Sequence, residues 1–296
     1  MRVNPNPIAD LLANINNDKQ IQETALAQLA SGRRVVVPSD DPAAAAVLSL
    51  NHASASQSDQ FLQVIGSVSA RLQTADSTLG SVVATLNRAI SLGIQGGGST
   101  LSQADRNSIA AEIQGLQQQL VGLANTSFQD SYLFGGTADK TAPFVLDPTS
   151  TSGVRYVGNN TVNSQPVGEG FTVTTNVPGS QLFTAPGADV FQSLHDLATA
   201  VQTNTNIDTT VLATRHAFDS ITSQRVFYGN SLSQLGSQQT YLNGVKLQLA
   251  TQENSLVGVD LATAITNLEQ ASTATSAILS ATNQVLSTLN LLSFLK

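Results

Sequence analysis

Hydrophobic residues near the carboxyl end of the chain recur at alternating spacings of four and three positions. Nine of the eleven residues in this run are apolar, and the other two are threonine. Such spacing is typical of the contact stripe of a coiled-coil helix. A single helix with an exposed apolar stripe is only marginally stable in water, so this helix needs a partner. The run comprises Val257, Leu261, Ala264, Leu268, Ala271, Thr275, Ile278, Thr282, Val285, Leu289 and Leu292.

A weaker stripe near the amino end offers that partner, although Lys19 and Gln22 interrupt it. We predict that the two terminal helices of one chain pair, with the middle of the chain attached to this stalk. This arrangement is typical of a filament subunit, whose terminal helices would form the assembly interface. The predicted interface residues are Ile8, Leu12, Ile15, Leu26, Leu29, Leu261, Ala264, Leu268, Ile278, Val285, Leu289 and Leu292.

Helix start and stop signals divide the remainder of the chain. Ser31-Gly32 ends a first helix over residues 8–30, because glycine readily adopts the left-handed conformation that follows many helices. Ser39-Asp40-Asp41-Pro42 places capping side chains before a proline and so predicts the start of a second helix. Further boundaries follow from the same signals, with Asp208 as an N-cap and Gly258 as the joint before the terminal helix. The later helices are predicted over residues 42–92, 103–125, 189–201 and 208–253.

Charged residues interrupt the apolar stripes of the two longest predicted helices. Asp76 breaks the stripe of the second helix, and Arg225 and Lys246 break that of the helix beginning near residue 208. The stripes otherwise fit the core of a helical bundle.

Between residues 137 and 186 the composition changes to proline, glycine and β-forming residues. Val154–Val157, Phe171–Val173 and Leu182–Phe183 are predicted strands. The predicted architecture is therefore mainly α, a long helical bundle with paired N- and C-terminal coiled-coil helices and a small β insertion. Its predicted domains are a terminal coiled coil (1–38 and 257–296), a helical bundle (39–136 and 187–256) and the β insertion (137–186).

Composition favours association with other protein subunits. Charged residues make up 11% of the 296 residues, against about a quarter in typical proteins. Neutral polar side chains replace them and are desolvated at low cost. The net charge of −7 and the absence of a basic run longer than Arg33-Arg34 argue against nucleic-acid binding. There is no cysteine, which excludes disulfides and thiolate metal sites.

Neither an export signal nor a membrane anchor is predicted. Residues 1–7 lack the apolar core of a secretory signal peptide. Residues 270–295 are uncharged, but serine, threonine, asparagine and glutamine interrupt them too often for a spanning helix, so no membrane insertion is expected.

Candidate catalytic and metal-binding residues are few. His52, His195 and His216 lie outside metal-binding helical spacings. Asp40-Asp41 could bind a cation or act as paired carboxylates, although helix capping explains the pair more simply. Gly93–Gly98 lacks the lysine of a phosphate-binding loop and is predicted to be a turn. We therefore expect no catalytic residues, cofactor or metal, and no enzymatic activity.

Several segments, in the amino-terminal half and near the carboxyl end of the chain, resemble the bacterial flagellin superfamily. The first reads Gln28-Leu29-Ala30-Ser31-Gly32-Arg33-Arg34, followed by Ser39-Asp40-Asp41-Pro42. The resemblance continues through 72–79 and 124–126, and it resumes at 258–262 and 270–272. It covers residues 1–144 and 224–296 and implies a structural, polymerising protein.

Within that superfamily the chain is most similar to the hook–filament junction family. Pro42 stands where flagellins usually have alanine, and Tyr132–Gly136 with Pro143-Phe144 resembles a junction-family signature. The family implies a ring of copies that contacts hook-associated protein 1 on one side and flagellin on the other. It also implies flagellar type III export, a cytoplasmic export chaperone and an extracellular location in the flagellum.

Three alternatives to a junction protein stay open from sequence. The first is flagellin itself, the bulk filament subunit. The second is an enzyme carried on a flagellin-like scaffold, for which Asp139, Asp147 and Glu169 are the acids of the insertion. The third is a coiled-coil adhesin or secreted effector.

Overall fold

The computed structural model describes residues 7–293, and the side chains of residues 9–284. Its helices are α1 (Pro7–Ser31), α2 (Pro42–Gly96), α3 (Gln103–Ala124), α4 (Gly179–Phe183), α5 (Val190–Thr203), α6 (Ile207–Val257) and α7 (Leu261–Ser293). The helices confirm the predicted order, and α1, α2, α3, α5 and α6 each begin within one residue of the predicted start, whereas α7 begins at Leu261, three residues after the predicted joint at Gly258. Helix α6 begins at Ile207, so Asp208 lies in its first turn rather than at its N-cap.

The strands form short antiparallel ribbons, each made of two consecutive strands. In the best-aligned ribbon Phe144 pairs with Tyr156 and Leu146 with Val154. The strands are β1 (Ser127–Phe128), β2 (Ser131–Tyr132), β3 (Phe144–Leu146), β4 (Val154–Tyr156), β5 (Ser164–Gly168), β6 (Phe171–Thr174), β7 (Thr184–Ala185) and β8 (Ala188–Asp189).

The predicted strand at Leu182–Phe183 is wrong, because both residues belong to the one-turn helix α4. Both side chains are fully buried. Consecutive residues of a strand point to opposite faces of the sheet, whereas a helical turn can direct both toward one core. Burial of this pair therefore favours the helical turn over the local β propensity.

The chain divides into two compact units, one of residues 1–57 and 244–296 and the other of residues 58–243. Both boundaries fall inside the long helices α2 and α6. The three-domain division predicted from the sequence has its boundaries elsewhere and stays a prediction.

The unit of residues 58–243 has one hydrophobic core, to which α2, α3, α5, α6 and the ribbons contribute. Helix α2 supplies it with buried residues at alternating spacings of three and four, including Leu72, Leu79 and Leu86, each 0% exposed. Helix α6 supplies Ile221, Tyr228 and Leu235 at seven-residue spacing. These seams confirm the bundle-core interpretation of both stripes.

An aromatic cluster joins the β ribbons to α5. Phe144 of β3 lies 5.2 Å from Phe183 and 5.3 Å from Phe191 of α5, measured between ring centroids. Gly179 is required beside it, because a Cβ at this position would approach the Phe144 ring to 2.8 Å. The cluster fixes the insertion on the helices through packing rather than through a continuous sheet.

Two of the charged interruptions in the stripes pair with each other. Arg225 of α6 donates from Nε and Nη2 to the two carboxylate oxygens of Asp76 on α2, at 2.8 and 3.0 Å. About a third of each side chain is exposed, so water screens the pair and it contributes at most about 1 kcal/mol. Its fixed geometry favours one register of α2 against α6.

None of the helices among the described residues combines the length and apolar character needed to cross a bilayer.

We expect Leu86→Ala to lower the free energy of unfolding by about 2–5 kcal/mol, because it leaves a cavity in a fully buried seam. Leu212→Ala is the matched control, since Leu212 is 56% exposed, and it should change stability by no more than about 0.5 kcal/mol. Chemical denaturation of both variants measures the difference. Equal effects would contradict the assigned core.

Candidate functional site

The terminal helices α1 and α7 pack against each other. They run antiparallel, because a β-bridge joins Arg33, just after α1, to Gly258, just before α7. The amide of Val259 also donates to the Gly32 carbonyl at 3.2 Å. The predicted pairing of the two chain ends is thus confirmed, and we call this pair the terminal hairpin.

The contact stripe of α7 follows the predicted spacing from Ala264 to Ile278, but Leu261, which was also predicted to face the partner helix, is 54% exposed. Ala264 and Ala271 are 2% and 5% exposed, and Leu268, Thr275 and Ile278 are half-buried. Thr275 donates its hydroxyl hydrogen bond to the Ala271 carbonyl of its own helix at 2.8 Å. A polar residue can therefore occupy the stripe without leaving an unpaired hydroxyl group.

The contact stripe of α1 differs from the prediction by one residue at three points. Leu11, Asp18 and Ala25 are less exposed than the residues that follow them, which were the stripe positions in the prediction, and Ala25 is only 2% exposed. Leu12 and Leu26, predicted to face the partner helix, are 56% and 49% exposed. As hairpin contacts these two residues were predicted wrongly, although their role between subunits stays a prediction.

Helix geometry explains the error. Residues three and four positions from a contact residue both lie near its side of the helix. Spacing from Leu29 therefore does not decide between Ala25 and Leu26, and the larger side chain is the one predicted to face α7. The structure places small Ala25 inward, which lets the backbones of α1 and α7 approach more closely than two leucines would allow. The alanines at contact positions of both helices are the sequence signal that could have predicted this close approach.

Among the described residues, six large apolar side chains of the terminal hairpin lie outside its contact stripe, with exposures of 42–56%. Exposed apolar side chains mark an interaction surface where they form a continuous patch, and Leu261, Ile265 and Leu279 lie along one side of α7 by their spacing of 4 and 14 residues. We call all six the outer apolar residues. They are Leu12, Ile21 and Leu26 of α1 and Leu261, Ile265 and Leu279 of α7.

The remaining predicted interface residues fall into two groups. Ile15 and Leu29 of α1 are half-buried, as expected for contact-stripe positions. The side chains of Ile8, Val285, Leu289 and Leu292 lie outside the described residues.

A well-defined joint connects the terminal hairpin to the adjoining ends of α2 and α6. Gly32 has φ +68° and its amide donates to the Gln28 carbonyl at 2.8 Å, which ends α1. The Arg34 amide donates to the carbonyl of Val257 at 2.7 Å, and its guanidinium donates to the Leu256 carbonyl at 2.8 Å. Arg33 forms an ion pair with Glu253. The joint is therefore a hydrogen-bonded structure rather than an extended linker.

Apolar packing supports the same joint. Val35, Ala44 and Val257 form a small buried cluster, with Leu48 and Leu256 against it. Val257 ends α6, so it belongs to this cluster and not to the stripe of α7, contrary to the sequence prediction.

Asp41 caps α2, as the simpler interpretation predicted, whereas Asp40 binds amides of the turn that precedes it and does not cap the helix. Asp40 Oδ2 accepts from the amides of Val36 and Val37, both at 2.9 Å. Asp41 Oδ1 accepts from the Ala44 amide at 3.0 Å and its other oxygen accepts from Arg34. These bonds engage both carboxylates in the backbone of the joint.

Hydrogen bonding lowers the pKa of two capping carboxyls in this unit. The Ala44 amide, followed by the Arg34 side chain, holds the pKa of Asp41 below 3.8. At the start of α7 the hydroxyl and amide of Thr263 lower the pKa of Asp260 below the same value. Both caps therefore act as carboxylates throughout the neutral range.

The residues considered for chemistry have structural neighbours. His52 lies 3.3 Å from Glu253 Oε2, and among the described residues no group of three or more histidine or acidic side chains could hold a metal. Gly93 belongs to α2 and packs against Leu197 and Val211 so closely that a Cβ would approach each to 2.8 Å. The glycine run thus serves helix packing and the following turn.

Comparison with known proteins supports the resemblance. The bacterial flagellin N-terminal helical region matches residues 5–139, somewhat less than half of the chain. The flagellar hook-associated protein 3 of Escherichia coli (strain K12) is 32% identical over 157 residues, which are 53% of this chain and 48% of that protein. The chain spans about half the length of the curated relatives it matches.

Solved flagellar structures share the fold of this chain. A flagellar hook-associated protein from Vibrio parahaemolyticus superposes with a TM-score of 0.67 at 20% identity, over 74% of this chain and 100% of that one. The flagellar junction protein FlgL from Legionella pneumophila gives 0.62 at 18% identity, over 71% and 99%. These likenesses confirm the predicted fold class.

The joint predicts opposite effects for two glycine substitutions in the same unit. Gly32→Ala should destabilise by about 1–2 kcal/mol, because a Cβ disfavours the left-handed conformation. Gly244→Ala, inside α6 with no atom near the added Cβ, should stabilise by up to about 1 kcal/mol. Thermal unfolding compares the two variants. A stabilising Gly32→Ala would contradict the joint.

The capping carboxyls predict an acid-sensitive contribution to stability. Their pKa is lower in the folded than in the unfolded protein, so this contribution is present above about pH 4 and disappears as pH falls through the folded pKa. The double variant Asp41→Asn, Asp260→Asn keeps capping groups that do not titrate. Its unfolding temperature should lie below that of the parent near neutral pH, and the gap should close below about pH 3. A gap independent of pH would refute this role.

Proposed function

We propose that this protein is a structural subunit of the bacterial flagellum that joins hook and filament. It polymerises with copies of itself, as a ring, through its terminal helices. The outer apolar residues carry the proposal, because they leave a partly unsatisfied apolar surface on the terminal hairpin. Similarity to hook-associated protein 3 and to a junction protein supports the placement at the hook–filament boundary.

The energy available from these residues is sufficient for assembly. Full burial of a leucine or isoleucine is worth about 1.5–3 kcal/mol. Because these six side chains are already about half covered, neighbours would add on the order of 5 kcal/mol per subunit. Loss of rotational and translational freedom opposes this gain. Assembly therefore depends on many weak contacts repeated around a ring.

The proposed partners follow from the same surface. Neighbouring copies cover part of it, while hook-associated protein 1 and flagellin meet the ring from the hook and filament sides. Before export the exposed Leu261, Ile265 and Leu279 of α7 would be a hazard in the cytoplasm. A dedicated export chaperone that covers α7 removes this hazard. The assembled protein lies outside the cell and leaves it by the flagellar type III route.

A structural role agrees with how the polar residues are used. Asp40, Asp41 and Asp260 cap turns and helices, and Asp147 accepts from Thr149 and Arg155 of the insertion. These four acids are thus engaged in hydrogen bonds at turns, at helix ends and within the insertion. We therefore assign no enzymatic activity, cofactor or metal.

The test places charge on the outer apolar residues. The double variant Leu26→Glu, Ile265→Glu should keep the unfolding temperature of the monomer, since both positions are about half exposed. Its incorporation onto purified hooks from a strain lacking the natural junction protein should fall about tenfold or more, equivalent to about 1.4 kcal/mol. Incorporation is measured by electron microscopy with labelled protein.

The matched control is Gln20→Glu, Gln270→Glu, which adds the same charge at exposed polar positions of the same helices. It should incorporate like the parent. Equal incorporation of the Leu26/Ile265 variant would refute the proposed interface. Seeded growth into long filaments by the parent protein alone would instead favour the flagellin alternative.

A further inference from the structure

A groove of about 430 Å³ lies in the unit of residues 58–243, between α2 and the insertion. One wall is formed by α2. The other wall is formed by the loop after β2 and by residues in or next to the β5–β6 ribbon. Polar side chains line most of it, over an apolar floor of Val64 and Val68. Its lining residues are Val64, Ser67, Val68, Arg71, Asp139, Asn163, Gln165 and Thr175.

Arg71 is the unusual member of this lining. Its Nε and Nη2 atoms are shielded from solvent and donate to no acceptor among the described residues. Nearby on α6, the hydroxyl of Tyr228 is also buried, beside the backbone of Val177. Burial raises the pKa of Tyr228, so its hydroxyl stays neutral and cannot balance the arginine charge. A shielded guanidinium edge with unpaired N–H groups is unfavourable unless an acceptor reaches it.

The geometry of that edge selects the acceptor. Adjacent Nε–H and Nη2–H groups match the two oxygens of a carboxylate, which they bind in parallel. Asp139 lines the same groove, but no ion pair joins its carboxylate to Arg71. The Asp139 carboxylate can instead accept a hydrogen bond from an N–H group of the bound segment. The groove thus fits a polypeptide segment whose side-chain carboxylate binds Arg71 and whose N–H groups can bind Asp139.

The balance of charge favours a tethered carboxylate over a free acid. One cation and one anion line the groove, so a dissolved anion gains little long-range attraction. A side chain held in place by a neighbouring subunit acts at a high effective concentration, about millimolar or above. The chain carries 20 acidic against 13 basic residues, so copies of it supply carboxylates in excess.

We propose that this groove receives an acidic side chain of a neighbouring copy in the assembled ring, and that Arg71 binds its carboxylate. Because Nε and Nη2 are shielded in the single chain, this binding requires the Arg71 side chain to turn toward the groove. This contact deepens the proposed function and rests on it, since it exists only between assembled copies.

The test compares Arg71→Gln with Arg88→Gln, two charge removals on the same helix. Arg88 is a control because it is largely exposed and already paired with Glu112 at 2.6 Å. Arg71→Gln should leave the unfolding temperature of the monomer unchanged or higher, since it removes shielded unpaired donors. Its incorporation onto hooks should fall about tenfold, and Arg71→Lys should restore only part of the loss, because lysine lacks the paired N–H groups.

A second readout does not depend on substitution. In the parent protein labelled with ¹⁵N-arginine, the Arg71 Nε resonance should shift on assembly, while millimolar glutarate added to the monomer should leave it in place. A shift with glutarate at lower concentration would make a free acid the occupant and overturn the proposal. Equal incorporation of Arg71→Gln and parent would overturn it as well. Failure of the parent itself to join hooks would instead refute the proposed function, and this contact with it.

Discussion

The close packing of α1 against α7 is the interaction on which the terminal part of this protein depends. Among the described residues of this contact, Ala25, Ala264 and Ala271 are the most completely buried. Small side chains at these positions bring two backbones together but contribute little transfer free energy each. The hairpin is consequently well defined in geometry and modest in stability. Such a balance suits helices that must also meet neighbouring subunits, because much of their larger apolar surface is left outside.

The joint explains why one short segment of the sequence is so distinctive. Gly32 ends α1, Arg33 and Arg34 hold the end of α6, and Asp40 and Asp41 organise the entry to α2. Each residue type answers a separate physical need: a left-handed turn, a donor for helix carbonyls and acceptors for unpaired amides. The segment that resembles the flagellin superfamily is therefore a structural joint, and any subunit with this connection of helices needs similar residues.

Polar residues inside the apolar stripes have distinct roles. Asp76 and Arg225 pair across the bundle, and Thr275 and Thr282 satisfy their hydroxyl groups on their own helix. Arg71 differs, since its shielded edge has no acceptor within the described residues. The interruptions thus separate into a register-setting pair and locally satisfied hydroxyls, while Arg71 lies beside the α2 stripe with an unsatisfied guanidinium edge. This edge is the feature that points outside the single chain.

The sequence by itself determined the order of helices, most of their starting points, the position of the insertion and the pairing of the chain ends. These features follow from local signals, such as Gly32 after a helix, Asp41 before one, and a four-three spacing over eleven positions. Only the tertiary structure decided that Ala25 rather than Leu26 faces α7, that Leu182 and Phe183 form a helical turn, and that Asp76 meets Arg225. The spacing of apolar residues does not decide which of two adjacent residues faces the partner helix. A charged residue within a stripe does not show which distant residue it pairs with. Those choices depend on which surfaces come together in space, and this is settled by packing over the whole chain.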